Sequence, residues 1–349
     1  MYFRLLIKKL TPKAILEIFR LIQLRRYAKL NLNKYIHNFK EFQDYDFLRS
    51  QKYTNSYKSN DTPQKIIASI ITVYHTIEKG LTMGKISLGF GINRMILLIG
   101  LCELYIKEYG TNDELLIEAL GIISEYSLVH KEMGFKLESS LQKRIDDLLN
   151  NSQIKYTTQQ LRYTKNNYFE NVNSSFDLFS NSRHSLRDFN EQTQIKIENF
   201  EKAIVLSQNA PSTCNRQSVR LHLIANKELI REILSLQNGN RGFGNRADKL
   251  IIVTSDLQCW GGPNERFGPF LDAGIYTMNL LYSLHFSKIG AIALNWYSSI
   301  ENDVKLRSLA FIPDNEVIAV IIACGGLHDN FKIAKSKRRH FTAVLKIHQ

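Results

Sequence analysis

Cysteine is scarce in this chain: four in 349 residues. Cys102, Cys214, Cys259 and Cys324 stand far apart, with no two at CxxC or metal-ligand spacing. That excludes a disulfide framework and predicts reduced thiols in a cytoplasmic protein. The nine histidines form no HxxxH or HExxH pair, so no metal site is expected. Six prolines and 18 glycines are too few for a collagen-like or Pro/Gly-rich disordered chain. Long apolar runs are missing too. The longest, Met95 to Ile106, is broken by Glu103 and too short to span a bilayer. Arg4, Lys8, Lys9 and Lys13 interrupt any secretory h-region at the N-terminus. No GxGxxG follows a strand pattern, and neither GxxxxGK[ST] nor GxSxG occurs, which removes Rossmann, P-loop and nucleophile-elbow chemistry.

What is present is an ordinary apolar fraction, 44%, and a net charge of +13 placed at the two ends. Residues 1–40 hold ten Lys/Arg against Glu17 alone, and residues 331–349 hold six with no acid. The remainder is close to neutral, which argues against a nucleic-acid-binding body and predicts no nucleic-acid partner. The length suits two domains, or one large domain with an extension.

Residues 13–30 read as an amphipathic helix, with Ile15, Ile18, Phe19 and Ile22 on one face and Arg20, Arg25, Arg26 and Lys29 at polar positions. Two readings stay open. The helix packs on the body with a solvated basic face, or residues 1–40 make a weak peripheral contact with an anionic membrane. Asp61-Thr62-Pro63 is a helix start. Helical patterns then run over 64–80, 92–109, 113–130 and 133–149, with Gly80 and Gly110 at expected C-caps. Polar residues 151–175 read as a linker. The second half mixes helical patterns over 194–209 and 270–286 with strand-like runs at 219–225, 250–254, 289–296 and 317–324. The expected organisation is a basic helical segment 1–60, a helical region 61–150, a linker 151–175 and an α+β domain 176–349, its sheet flanked by helices.

Two segments carry candidate chemistry. In Ser182-Arg183-His184-Ser185-Leu186-Arg187-Asp188-Phe189 two guanidiniums flank a hydroxyl. The planar fork of arginine matches phosphate oxygens, and a helix N-terminus is expected directly after the segment to add its dipole. Asn209-Ala210-Pro211-Ser212-Thr213-Cys214-Asn215-Arg216-Gln217 places hydroxyls and amides between a helix and a strand. A third segment, Gly239-Asn240-Arg241-Gly242-Phe243-Gly244, is glycine-rich in the wrong order for a nucleotide loop and reads as a mobile loop.

Taken in this order, the first two segments resemble the nitroreductase family of FMN-dependent oxidoreductases. Arg183, His184, Ser185 and Arg187 look like its first phosphate motif. Pro211, Ser212, Asn215 and Gln217 look like its second, which reaches the flavin held mainly by the other subunit. Asp272-Ala273-Gly274 through Asn279-Leu280-Leu281, then Ile289-Gly290-Ala291, match the family's central helix and following strand, and Ile312-Pro313-Asp314 its late strand. Lys337, Arg338 and Arg339 stand where the family has terminal basic residues over the phosphate. The likeness spans about residues 176–345. It departs at Gln217-Ser218-Val219, where Gln-Pro-Trp is usual, and at Leu294-Asn295-Trp296 under the flavin. It is nearer to a divergent branch with a helical N-terminal region associated with polysaccharide biosynthesis loci, which carries segments like His75–Leu81 and Gly89-Phe90-Gly91.

The resemblance implies a mixed sheet flanked by helices and a homodimer. It implies FMN as cofactor, with Asn295 and Trp296 near its ring, and NAD(P)H as reductant in a ping-pong cycle with a small-molecule electron acceptor. No catalytic side chain is then expected, since the flavin carries the hydride chemistry. The contrasting readings are a non-catalytic flavin-binding or partner-docking protein of a glycan assembly pathway, and a peripheral membrane scaffold built on residues 1–40.

Overall fold

The structure is a computed structural model that describes residues 12–55, 60–152 and 160–348, with side chains from residue 29 onward except 30, 31 and 35. The chain divides into two compact units, Met1–Lys58 with Trp260–Arg266, and Ser59–Cys259 with Phe267–Gln349. In the first unit, helix α1 runs over Pro12–Tyr53. It continues far beyond residue 30 because no glycine or proline interrupts the chain between Lys13 and Thr62. The apolar face expected over 13–30 lies in side chains outside the described residues. Arg266 grips this helix with a forked ion pair, Nε to Asp46 Oδ2 at 2.6 Å and Nη2 to Oδ1 at 2.9 Å, and its guanidinium lies 4.2 Å from the Phe42 ring centroid.

The second unit begins with four helices: α2 (Pro63–Leu81), α3 (Ile92–Tyr109), α4 (Glu114–Glu132) and α5 (Ser139–Ser152). Thr62 caps α2, its hydroxyl accepting from Lys65 N, with Pro63 at the first turn where its missing N–H costs nothing. Asp113 caps α4 by accepting from Leu115 N and Leu116 N. Ile70, Ile77, Leu98, Ile99, Leu116, Ile123 and Ile145 are among the buried side chains that join these helices into one core. Each fully buried side chain of this size contributes about 1.5–3 kcal/mol. Gly110 closes α3 at φ 78°, as expected. Gly80 does not cap: α2 runs past it to Leu81, with Thr82 as the cap. Its absent side chain instead makes room for the Phe90 ring, which a Cβ there would meet at 2.0 Å.

The α+β half is built on a four-stranded sheet of order β2 (Val219–Ile224), β3 (Lys249–Asp256), β5 (Glu316–Gly325), β4 (Gly290–Asn295). Its pairings are antiparallel, with Leu250 opposite Ala323 and Ala293 opposite Ile322. Both faces are covered. Leu250, Ile252, Ile321, Ala323, Ile292 and Leu294 point to one core, and Ile251, Val253, Ile322, Cys324 and Ala291 to another under α8 (Ile197–Ser207) and α10 (Gly268–Phe286). This two-sided burial is why β3 and β5 read as continuous apolar runs without alternation.

The segment 151–175, expected to be a linker, is part of the fold from Gln160 onward. Strand β1 (Gln160–Thr164) pairs antiparallel with β6 (Asn330–Ala334), and the short α6 (Lys165–Tyr168) follows. Tyr168, Phe169 and Val172 are buried in the first core. Three apolar anchors among asparagines gave too little periodicity to show this. Helices α9 (Lys227–Ser235) and α11 (Ile300–Ala310), also unanticipated, pack on the same face through Ile230, Ile233, Leu234 and Leu306.

The Gly80–Phe90 contact gives a direct test. Gly80→Val forces a branched side chain into the ring and should destabilise the protein by about 1–3 kcal/mol through overpacking. A thermal melt of this variant matching the parent would show that Phe90 moves aside freely.

Candidate functional site

Helix α7 (Phe176–Ser182) delivers the first motif. Arg183 is the residue that ends α7, and the next helix, α8, starts only at Ile197. The expected helix N-terminus therefore does not face the guanidiniums, because the chain first runs along β4, with Leu186 N donating to Ala291 O at 3.2 Å. What holds the motif is Tyr168. Its buried hydroxyl donates to His184 O (3.1 Å) and accepts from His184 N–H (3.0 Å). Tyr168 lies in the supposed linker, so sequence reasoning missed it.

The electrostatics of this segment are one-sided. Arg183 Nε and Arg187 Nε are buried without a partner. Burial, then Arg183 and Arg338, push the His184 imidazole down to about 4. Burial, then Arg183 and His184, push His285 of α10 down to about 4 as well. Both rings are thus neutral among cations. His285 Nε2 lies 2.8 Å from Ser182 Oγ, which itself donates to Phe179 O, so the ring is assigned as the donor to Ser182. Among the described residues no carboxylate pairs with Arg183 or Arg338, so an oxyanion beside them would find charge and donors unopposed, which fits a phosphate group.

Arg187 points the other way, into the helical region. It is 7% exposed, and burial brings it down to about 10. Its Nη2 lies 3.3 Å from His75 Nε2, His75 Nδ1 lies 2.9 Å from Glu78 Oε2, and Glu78 Oε1 accepts from Ser336 N at 2.9 Å. A guanidinium can only donate, so Nε2 is assigned as the acceptor and Nδ1–H as the donor to the buried Glu78. Neighbouring Asp188 pairs with Arg246.

Of the three terminal basic residues, only Arg338 is brought toward the motif. Lys337 and Arg339 turn to the start of α4, 3.8 Å from Glu114 and 3.7 Å from Asp113. Asn295 and Trp296 close the far end of β4. Asn295 accepts from Gln237 Nε2 through its carbonyl (3.1 Å), and Trp296 Nε1 donates to Asp303 at 2.8 Å with its ring on the first core.

The second motif lies, as expected, between α8 and β2. Its hydrogen bonds to other elements include those of Thr213 to Asp272 and of Arg216 to the Cys259 carbonyl. Cys214, Asn215 and Gln217 all have left-handed φ, 52°, 55° and 51°. Non-glycine residues there cost roughly 1–3 kcal/mol each, and such strain persists only where surroundings enforce it. Asp272, 1% exposed in α10, does so by accepting from Thr213 N (3.0 Å) and Thr213 Oγ1 (2.8 Å). Ser212 adds an acceptor for Gln217 N at 3.0 Å. Pro211, Ser212 and Gln217 line a cavity of about 210 Å³ with Asp272 and Tyr276.

Residues 181–239 match the model of the nitroreductase family. That span contains both motifs. A curated relative from Archaeoglobus fulgidus, named an NADH dehydrogenase/NAD(P)H nitroreductase, is 26% identical over 144 residues, 41% of this chain and 80% of its own. Among solved structures, a nitroreductase family protein from Streptococcus pneumoniae TIGR4 is 17% identical with a TM-score of 0.45, covering 50% of this chain and 100% of that one. A nitroreductase in complex with FMN from Desulfovibrio desulfuricans is 20% identical with a TM-score of 0.42, covering 49% and 95%.

Two outcomes follow from the nitroreductase-matched segment. Tyr168→Phe strips a buried N–H and C=O of their partner and should cost about 1–3 kcal/mol; an unchanged urea midpoint would remove Tyr168 from the account. His184 and His285 also make stability pH-dependent. Their folded values lie below the ordinary 6.5, so the unfolded chain takes up protons first. Stability should be full above about pH 6.5 and fall as pH drops from there towards 4. Melting temperatures recorded over that window should decline less steeply in His285→Gln than in the parent.

Proposed function

We propose that this protein is an FMN-dependent NAD(P)H oxidoreductase of the nitroreductase family. One observation carries the reading. Within the matched segment, two arginines with unpartnered buried Nε atoms flank a serine, and Arg338 adds charge, with no acid paired to it among the described residues. Arg183, Ser185 and Arg338 would hold the phosphate, with His184 contributing through its Tyr168-clamped backbone and Arg187 closing the inner side. Asn295 and Trp296 would border the ring, and Lys337 and Arg339 would supply longer-range charge. When bound, FMN supplies the hydride-accepting centre. No nucleophile or general base is required of this chain. NAD(P)H and a small-molecule electron acceptor would then use one site in turn, a ping-pong cycle.

A homodimer completes the proposal, with Pro211, Ser212, Asn215 and Gln217 presented to the flavin of the partner. Helix α10 supports it. Phe270, Leu271, Ile275 and Met278 are exposed along one face, an apolar stripe that a soluble monomer rarely leaves bare. A cytoplasmic location accords with free thiols, and among the described residues no helix is long and apolar enough to cross a membrane. A place in surface-polysaccharide assembly rests on the likeness of His75–Leu81 and Gly89–Gly91.

Purified protein should be yellow, should release FMN on denaturation, and should oxidise NAD(P)H when an acceptor is added. Arg183→Ala should weaken FMN binding by roughly 10–150-fold, the loss of one charge-assisted contact. Its mass in solution should be about two subunits. Flavin binding without NAD(P)H oxidation would favour a binding or docking protein, and failure to take up FMN would end the family reading.

A further inference from the structure

The glycine-rich segment and the α2–α3 connection enclose a cavity of about 660 Å³ that the flavin reading does not use. Four of its lining residues are cationic, Lys79, Lys85, Arg94 and Arg241, and none is acidic. Among the described residues, none of these four side chains makes an ion pair or a hydrogen bond. This is unusual in a body whose acids and bases nearly balance. Phe90 and Met83 add apolar wall.

The loop is built to hold Arg241 there. Asn240 Nδ2 donates to Leu234 O (2.7 Å), Gln237 O (2.5 Å) and Gln237 Oε1 (3.1 Å). Gly242 adopts φ 86° against Met83, a conformation that side chains rarely take. The mobile loop expected from the sequence is therefore a pinned turn. Lys79, half-buried, sits below the ordinary lysine value because of burial and then the nearby Arg187 charge. Four like charges around one concavity repel each other, and an anion there relieves the repulsion.

We propose that this cavity binds a phosphate-bearing small molecule other than flavin, its anionic group held by Arg94, Arg241, Lys79 and Lys85 and its organic part against Phe90. Two arginines suit phosphate geometry better than point charges alone. The proposal does not depend on FMN binding, and it is tested apart from it.

Inorganic pyrophosphate is the probe, titrated calorimetrically into the full-length protein at low ionic strength with and without one equivalent of FMN. Saturable binding is expected in both cases. Arg94→Ala and Arg241→Ala, both exposed and unpaired, should each weaken it about tenfold or more, and Lys202→Ala, on α8 outside the cavity, should leave it unchanged. Three results overturn the proposal: no saturable binding, an equal loss in Lys202→Ala, or one-for-one displacement of pyrophosphate by FMN. The last would make the cavity part of the flavin site. Thermal melts of the variants matching the parent show that the fold is intact.

Discussion

Arg187 brings a full positive charge to a place that water scarcely reaches, and much of the second unit is arranged to make that tolerable. An isolated buried guanidinium costs several kcal/mol, and a fixed partner network is what offsets it. Here the partners come from far apart in sequence: His75 and Glu78 from helix α2, and the backbone of Ser336 beyond β6. The helical region and the sheet domain are therefore not independent modules joined by a tether. One guanidinium, one imidazole and one carboxylate tie the first motif, the helical region and the C-terminal segment into a single electrostatic unit. Removing Glu78 would leave Arg187 without its counter-charge, a larger change than the loss of one surface pair.

The sequence made legible what repeats or stands alone. Helices α2 and α3 and the apolar strands β3 and β5 came through at nearly their observed bounds, because long amphipathic or two-sided apolar runs leave little choice. The short elements did not. Strand β1 holds only Leu161 and Tyr163 as partly buried apolar residues, and its partner β6 lies at the far end of the chain. A pairing across that separation leaves no local mark. The site divides in the same way. Arg183, Ser185 and Arg187 were visible as residue types at a spacing, whereas Tyr168 and Asp272 act through tertiary contacts that no spacing encodes. The reach of Arg338 and the turning away of Lys337 and Arg339 also depend on where acids of the helical region happen to sit.

The second motif shows how a loop borrows its shape. Three left-handed side-chain-bearing residues within four positions would not persist in a free peptide. They persist because Asp272, on the buried face of α10, holds Thr213 from below. The same helix exposes Phe270, Leu271 and Met278 on its other side. Whatever covers that apolar face and whatever touches the loop are thus read by one rigid rod, a short physical connection between assembly and site.

The two-sided burial of β3 and β5 has a consequence outside the native state. Leu250–Val253 and Val317–Ile322 are runs without charge, proline or glycine, and they are safe only while both faces and both edges are occupied. In a chain that has lost its helical layers, these exposed runs have the composition that pairs with copies of themselves. For this protein the hazard of unfolding is therefore self-association through its best-buried strands, a hazard that grows with protein concentration.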